Sequence, residues 1–128
     1  MNRIALILAS TVILLIAPVS NAAIYDVVAG DPINLTYGPP VFITVAVGES
    51  FTLNAVAPPT TARSDFTWRD PDIGIARFGG VILGYGQTLT TSKSVAGTSR
   101  ITLTNSVNTG GRFYRTAITM VYITTVAP

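Results

Sequence analysis

Three aspartates, Asp65, Asp70 and Asp72, lie in the stretch Asp65-Phe66-Thr67-Trp68-Arg69-Asp70-Pro71-Asp72 and make up half of the chain's six carboxylates. Hard carboxylate oxygens are what calcium takes as ligands. Converging at one end of a strand, these three acids form a candidate calcium site. Arg63, Arg69 and Arg77 flank them in sequence. Paired with those guanidinium groups, the same acids make a neutral, solvated turn, and the balance of bases against acids favours the turn. No other metal site and no cofactor is implied.

The chain contains no histidine and no cysteine. That removes Ser-His-Asp and Cys-His nucleophile systems and the usual zinc sites. A Ser-Lys pair would need Lys93, the single lysine, which stands between Ser92 and Ser94. Adjacent residues of a strand point to opposite faces, so those serines are badly placed to use it. A glycosidase needs two acids across a deep cleft, which a domain of this size rarely builds. The expectation is therefore a protein that is not an enzyme. Asn34-Leu35-Thr36 is an N-glycosylation triplet, with Asn34 the acceptor in a host that attaches such sugars.

The elements that hold these residues begin after a leader. Met1-Asn2-Arg3 precedes an apolar run from Ile4 to Ala17, and Ser20 and Ala22 are small residues at its exit. This is the pattern of a secretory signal cleaved between Ala22 and Ala23. The run is shorter than the roughly 20 residues that span a bilayer. The expected organisation is a signal peptide over 1–22, an N-terminal extension over 23–40 and one domain over 41–128. The mature chain would be secreted, at a cell surface or in a periplasm, with no membrane span. Losing Arg3 leaves seven of the eight Lys+Arg against six Asp+Glu, a net charge of +1. The basic residues are scattered among acids, not gathered in the stripe that nucleic acid requires. So weak a net charge permits self-association.

Beyond the leader, hydrophobic alternation has period two and is broken by glycine and proline. Val41, Ile43, Val45 and Val47 share one face of a first strand; Phe51, Leu53 and Ala55 share one face of a second. Phe66 and Trp68 face one way from the strand Asp65–Arg69, and Asp70-Pro71-Asp72 is a turn. Short pieces follow at Gly74–Phe78, Val81–Tyr85 and Gln87–Ser92, then Arg100–Thr104 with Ile101 and Leu103 inward. Asn108–Gly111 reads as a hairpin loop into a last strand over about 115–125. About seven short strands at these spacings predict an all-β sandwich, its core built on Trp68, Phe66, Leu53, Ile101 and Leu103. The segment 23–40 adds one possible strand, Ile24–Val28.

Three pieces stand in a recognisable order: Val45–Ala55 ("VAVGESFTLNA"), Phe66–Asp72 ("FTWRDPD") and Ala96–Ile123 ("AGTSRITLTNSVNTGG…TAITMVYI"). Together they resemble the polycystic-kidney-disease (PKD)-type and related immunoglobulin-like extracellular domains. Those domains place a Gly-Glu turn before their second strand, a core tryptophan on the third, and a glycine-containing turn before an Ile-Thr-Leu-Thr strand. The acidic, glycine-rich run that follows the tryptophan in the PKD type is missing here. The resemblance implies an immunoglobulin-like sandwich with a role in adhesion, spacing or assembly.

The last strand departs from simple alternation. Tyr114, Thr116, Ile118, Met120 and Tyr122 share one face, and Ala117, Thr119, Val121 and Ile123 the other. A strand with one wet face alternates more cleanly. The first strand is similar, with Phe42 and Ala46 opposite its valines, and few charges guard either against edge pairing. Two partner classes follow. One is a protein or cell-surface ligand, which makes the chain a binding or adhesion module. The other is a second copy, reached by strand addition through residues 23–40, which makes it the subunit of a surface filament.

Overall fold

The computed structural model describes residues 22–59, 64–74, 79–110 and 113–128. The expected leader up to Asn21, Arg63, Arg77 and most of the Gly74–Phe78 piece lie outside the described residues. Eight strands are present: β1 (Ala23–Val28), β2 (Val41–Ala46), β3 (Phe51–Val56), β4 (Asp65–Asp70), β5 (Val81–Tyr85), β6 (Thr88–Thr91), β7 (Gly97–Gly110) and β8 (Phe113–Val126). They form a three-stranded sheet, β1-β3-β6, and a five-stranded sheet, β2-β8-β7-β4-β5. This is the all-β, two-sheet sandwich that the alternation predicts, of the immunoglobulin-like kind that the resemblance implies. No helix among the described residues is long and apolar enough to cross a membrane.

Strands β2 and β3 bury the face that their period-two pattern assigns, whereas the edge strand β5 leaves Val81, Ile82 and Leu83 exposed. Ile43 and Val45 of β2 turn inward while Phe42 and Thr44 stay exposed. From the three-stranded sheet, Val27, Phe51, Leu53, Ala55 and Leu89 meet Trp68, Ile101, Leu103, Val121 and Ile123 of the five-stranded sheet. Fully burying one such aliphatic or phenyl side chain contributes about 1.5–3 kcal/mol. Trp68 is wholly buried, and its indole N–H donates to the Gly86 carbonyl at 2.9 Å. Phe66 packs against the core from a half-buried position.

Two strands are longer than expected. β7 and β8 pair antiparallel from Gly97↔Thr125 to Gly110↔Phe113, with an irregularity between Asn108 and Gly110. Asn108, Thr109 and Gly110 of the expected loop are therefore strand, and Gly111 lies outside the described residues. At one edge of this sheet, β5 carries a bulge at Leu83, between Gly84 opposite Trp68 and Ile82 opposite Arg69. A bulge twists an edge away from pairing.

Residues 23–40 pair within their own chain. β1 lies parallel to β3, from Ala23↔Phe51 to Val28↔Val56, and Val27 is in the core. The chain then crosses to the other sheet, where β2 runs parallel to β8. The crossing is pinned at several points. The Asn105 amide donates to the Gly30 carbonyl at 3.0 Å, the Thr119 hydroxyl to the Val28 carbonyl at 3.0 Å, and the Gly38 N–H to the Ile118 carbonyl at 3.1 Å. Glycine permits this closeness. A Cβ on Gly30 would lie 2.8 Å from the Ala117 Cβ, and one on Gly38 would overlap the Thr119 hydroxyl and the Val28 carbonyl.

Candidate functional site on the outer face of the five-stranded sheet

The three aspartates are not brought together. Asp65 opens β4 and Asp70 closes it, which separates them by about 17 Å at the usual strand rise. Asp70 is buried, and its Oδ1 accepts the Asp72 N–H at 2.9 Å, closing the turn after β4. Asp72 instead meets Arg100 of β7: the guanidinium Nε lies 3.1 Å from both carboxylate oxygens and Nη2 2.8 Å from Oδ1. The hydrogen bond from Arg100 holds the Asp72 carboxyl below its ordinary range. Among the described residues no group of three His, Cys, Asp or Glu could hold a metal ion. Arg69, expected to neutralise these acids, donates from Nη1 to the Thr104 hydroxyl at 3.2 Å.

The other candidates sit apart from one another. Asn34 lies on the exposed turn Asp31–Thr36, where its side-chain amide donates to Asp31 Oδ2 at 2.8 Å. Lys93 follows β6 in a loop, and its carbonyl accepts the Gly48 N–H at 2.8 Å. Ala22 directly precedes β1, and Ala23 is its first residue. Asp65 borders two polar recesses, one of about 570 Å³ with Tyr85 and Gln87 and one of about 430 Å³ with Ser106 and Asn108. Neither recess offers Asp65 a second carboxylate among the described residues.

What the fold does assemble is an apolar groove over β8. Tyr37, Gly38, Pro40, Ile118, Met120 and Tyr122 line a space of about 400 Å³. Ile118, Met120 and Tyr122 alternate along the outer face of β8. Tyr37 and Pro40 belong to the crossing segment, and both sides of Tyr37 are anchored. Asp31 and Thr36 exchange two backbone hydrogen bonds of 2.9 and 3.0 Å, and the next residue, Gly38, is tied to Ile118. Pro39 and Pro40 fix φ as the chain enters β2. Phe42 then falls opposite Tyr122 in the parallel register, and the two rings stack with centroids 5.1 Å apart at 14°.

These aromatic rings stand in water. Tyr37 is 80% exposed, Phe42 74% and Tyr122 38%. No charged side chain lines the groove. At its Tyr122 end, Asp72 and Arg100 share a smaller recess with that ring and neutralise each other. With this lining the groove can bind by stacking and apolar contact. The run of residues Tyr114 to Tyr122 pointed to β8, and Phe42 was visible as an apolar residue on the wrong face. Tyr37, Pro40 and the Phe42–Tyr122 stack were not foreseen, because they depend on the parallel pairing of β2 with β8. The Asp72–Arg100 pair was missed as well.

No protein-family model matches the chain, and no curated protein matches it significantly. Among solved structures it is similar to the PKD domain of the human KIAA0319 protein, determined in solution. Identity is 21%, the match covers 87% of this chain and 88% of that one, and the TM-score is 0.45. That domain is of the type which the order of motifs resembles.

Proposed function

We propose that this chain is a secreted, non-enzymatic binding module that engages a protein at a cell surface or in its surroundings through the groove over β8. One observation carries the reading: an uninterrupted set of exposed aromatic and aliphatic side chains on a sheet face, held in place by a pinned segment. Scattered apolar residues are normal on a surface, but a contiguous patch rimmed by polar groups is the usual mark of an interaction site. The leader supports secretion, with Ala23 as the mature N-terminus. The in-chain pairing of β1 with β3 supports a self-contained module over a subunit that donates residues 23–40 to a neighbour.

Arrays of peptides and glycans probed with the chain test this reading. A retained ligand class that Tyr122→Ala and Phe42→Ala both lose, with melting otherwise preserved, is the expected result. Binding that survives both substitutions would place the contact surface elsewhere. Mass spectrometry of the secreted protein checks the leader, with an N-terminus at Ala23 expected and an intact Met1 in the medium as the contrary result.

A further inference from the structure

Resting on that reading of the groove, we infer that its occupant is a neutral, proline-rich peptide in the polyproline II conformation. The first argument is backbone supply. β8 is a central strand, paired with β2 on one side and β7 on the other, so it has no free row of N–H and C=O groups. At the edges of the sheet β2 and β5 each keep one unpaired side, but a peptide over β8 itself cannot add as a strand. It must lie on the sheet face by its side chains, with a backbone that needs no ladder. Polyproline II is that backbone, because it has no internal hydrogen bonds and stays solvated on its own.

The second argument is shape. From Ile118 to Tyr122 the groove runs about 13 Å at strand rise, the length of about four residues at the polyproline II rise of ~3.1 Å. Taking roughly 200 Å² per aromatic side chain, Tyr37, Phe42 and Tyr122 expose about 400 Å² together at their fractional exposures. A stable dimer buries about 800 Å² on each partner. These three rings supply about half of that, which fits a slender ligand better than a second copy of the chain.

The third argument is chemistry. Proline rings pack on tyrosine and phenylalanine faces, and aromatic-lined grooves are how such segments are commonly read. The Tyr37 and Tyr122 hydroxyls are the kind of donors that the carbonyls of an N–H-poor peptide can accept. A sugar needs several convergent polar side chains, and here the Gly38 N–H is already given to Ile118. No charged side chain lines the groove, and Asp72 and Arg100 at its Tyr122 end satisfy each other, so the ligand requires no charge.

Met120 lines the groove, and the only other methionine is Met1. Selectively labelled methionine methyl groups therefore give one NMR reporter inside the fold. Titrating the purified chain with decaproline should move the Met120 signal saturably, with little change between low and high salt. Phe42→Ala and Tyr122→Ala should weaken binding at least tenfold, while Thr90→Ala on the opposite sheet leaves it unchanged. A glycine-serine peptide of equal length should have no effect. A Met120 shift produced by oligosaccharides but not by decaproline would overturn the proline assignment and leave the groove as the binding surface. A shift that follows protein concentration alone would assign the groove to a second copy and overturn the proposal. No shift with decaproline to millimolar concentration, while arrays still show binding that Tyr122→Ala abolishes, would likewise overturn the proline class alone. Array binding insensitive to that substitution would overturn both readings.

Discussion

The outer faces of the two sheets arise from the same alternation and end chemically opposite. On the three-stranded sheet, the Thr52 and Thr90 hydroxyls meet at 2.8 Å across β3 and β6, and the Asn54 amide donates to Asp26 at 3.0 Å across β3 and β1. Polar groups there satisfy one another, and its exposed apolar residues, such as Ile24 and Val28, lie towards the β1 edge. Over β2 and β8 of the larger sheet, Phe42, Ile118, Met120 and Tyr122 stand where such polar pairs would otherwise be. Apolar surface left in water forgoes about 25 cal/mol per Å² relative to burial. Nothing in the folding of the sandwich requires that arrangement, since the inner faces alone build the core. The contrast separates what makes the fold from what is available to a partner.

The largest effect should come from what both sheets share. Trp68→Ala removes the largest fully buried side chain and should cost about 3–5 kcal/mol. Calorimetry should show either a strongly lowered melting temperature or no cooperative transition. A loss below 1 kcal/mol would mean that the sheets do not close on Trp68. Next in size is the pinned crossing. Asn105→Ala deletes the donor to the Gly30 carbonyl inside the fold and should cost about 1–3 kcal/mol. Because that crossing carries Tyr37, chemical denaturation and decaproline binding should weaken together. Lost stability with intact binding would detach the groove from the crossing.

How much of this was legible follows the same division. The inward sets at Ile43 and Val45, Phe51 and Leu53, and Ile101 and Leu103 can be read directly, because one-face burial imposes period two on each strand by itself. The hairpin register was only approached: counting back from an Asn108–Gly111 turn brings Arg100 opposite Thr119, whereas the ladder runs on to Gly110↔Phe113 and sets Arg100 opposite Tyr122. The neighbour of β2 was not legible. A parallel pair has no tight turn from which to count, so nothing local says that Phe42 meets Tyr122. The proposed convergence of Asp65 with Asp70 failed for a reason the sequence already contained, since two ends of one extended strand cannot meet. The Asp72–Arg100 pair depends on the path after β4, where Asp70 caps the turn and swings Asp72 toward β7.

The double substitution Phe42→Thr with Tyr122→Thr makes the outer face of the large sheet resemble that of the small one. Losing the stacked pair should cost about 0.5–1.5 kcal/mol beyond area, while threonine keeps strand propensity. Decaproline should no longer shift Met120, yet the melt should stay cooperative. The mirror experiment, Thr52→Val with Thr90→Val, removes a cross-strand pair of about 0.2–1 kcal/mol and should leave the titration unchanged. If the second pair of substitutions abolished binding and the first did not, the two faces would have to exchange roles.

The smallest effect expected is electrostatic, at the border of the groove. Asp72 and Arg100 are both substantially exposed, so solvent screens their pair. The sign is still fixed. Folding lowers the proton affinity of the Asp72 carboxyl through the hydrogen bond from Arg100. As pH falls below about 4, the ordinary range for aspartate, the unfolded chain takes up the proton first. The stabilisation is complete above that range and disappears as pH passes through the lowered folded value. Asp72→Asn should therefore flatten the acid limb of the stability curve and leave the neutral region little changed, as urea midpoints between pH 2 and 7 would show. In the same variant Arg100 loses its carboxylate beside Tyr122. Decaproline, being uncharged, should bind that variant as before, whereas an acidic proline-rich peptide should gain affinity at low salt. Equal affinity for the two peptides would show that the Asp72–Arg100 pair lies outside the reach of the ligand.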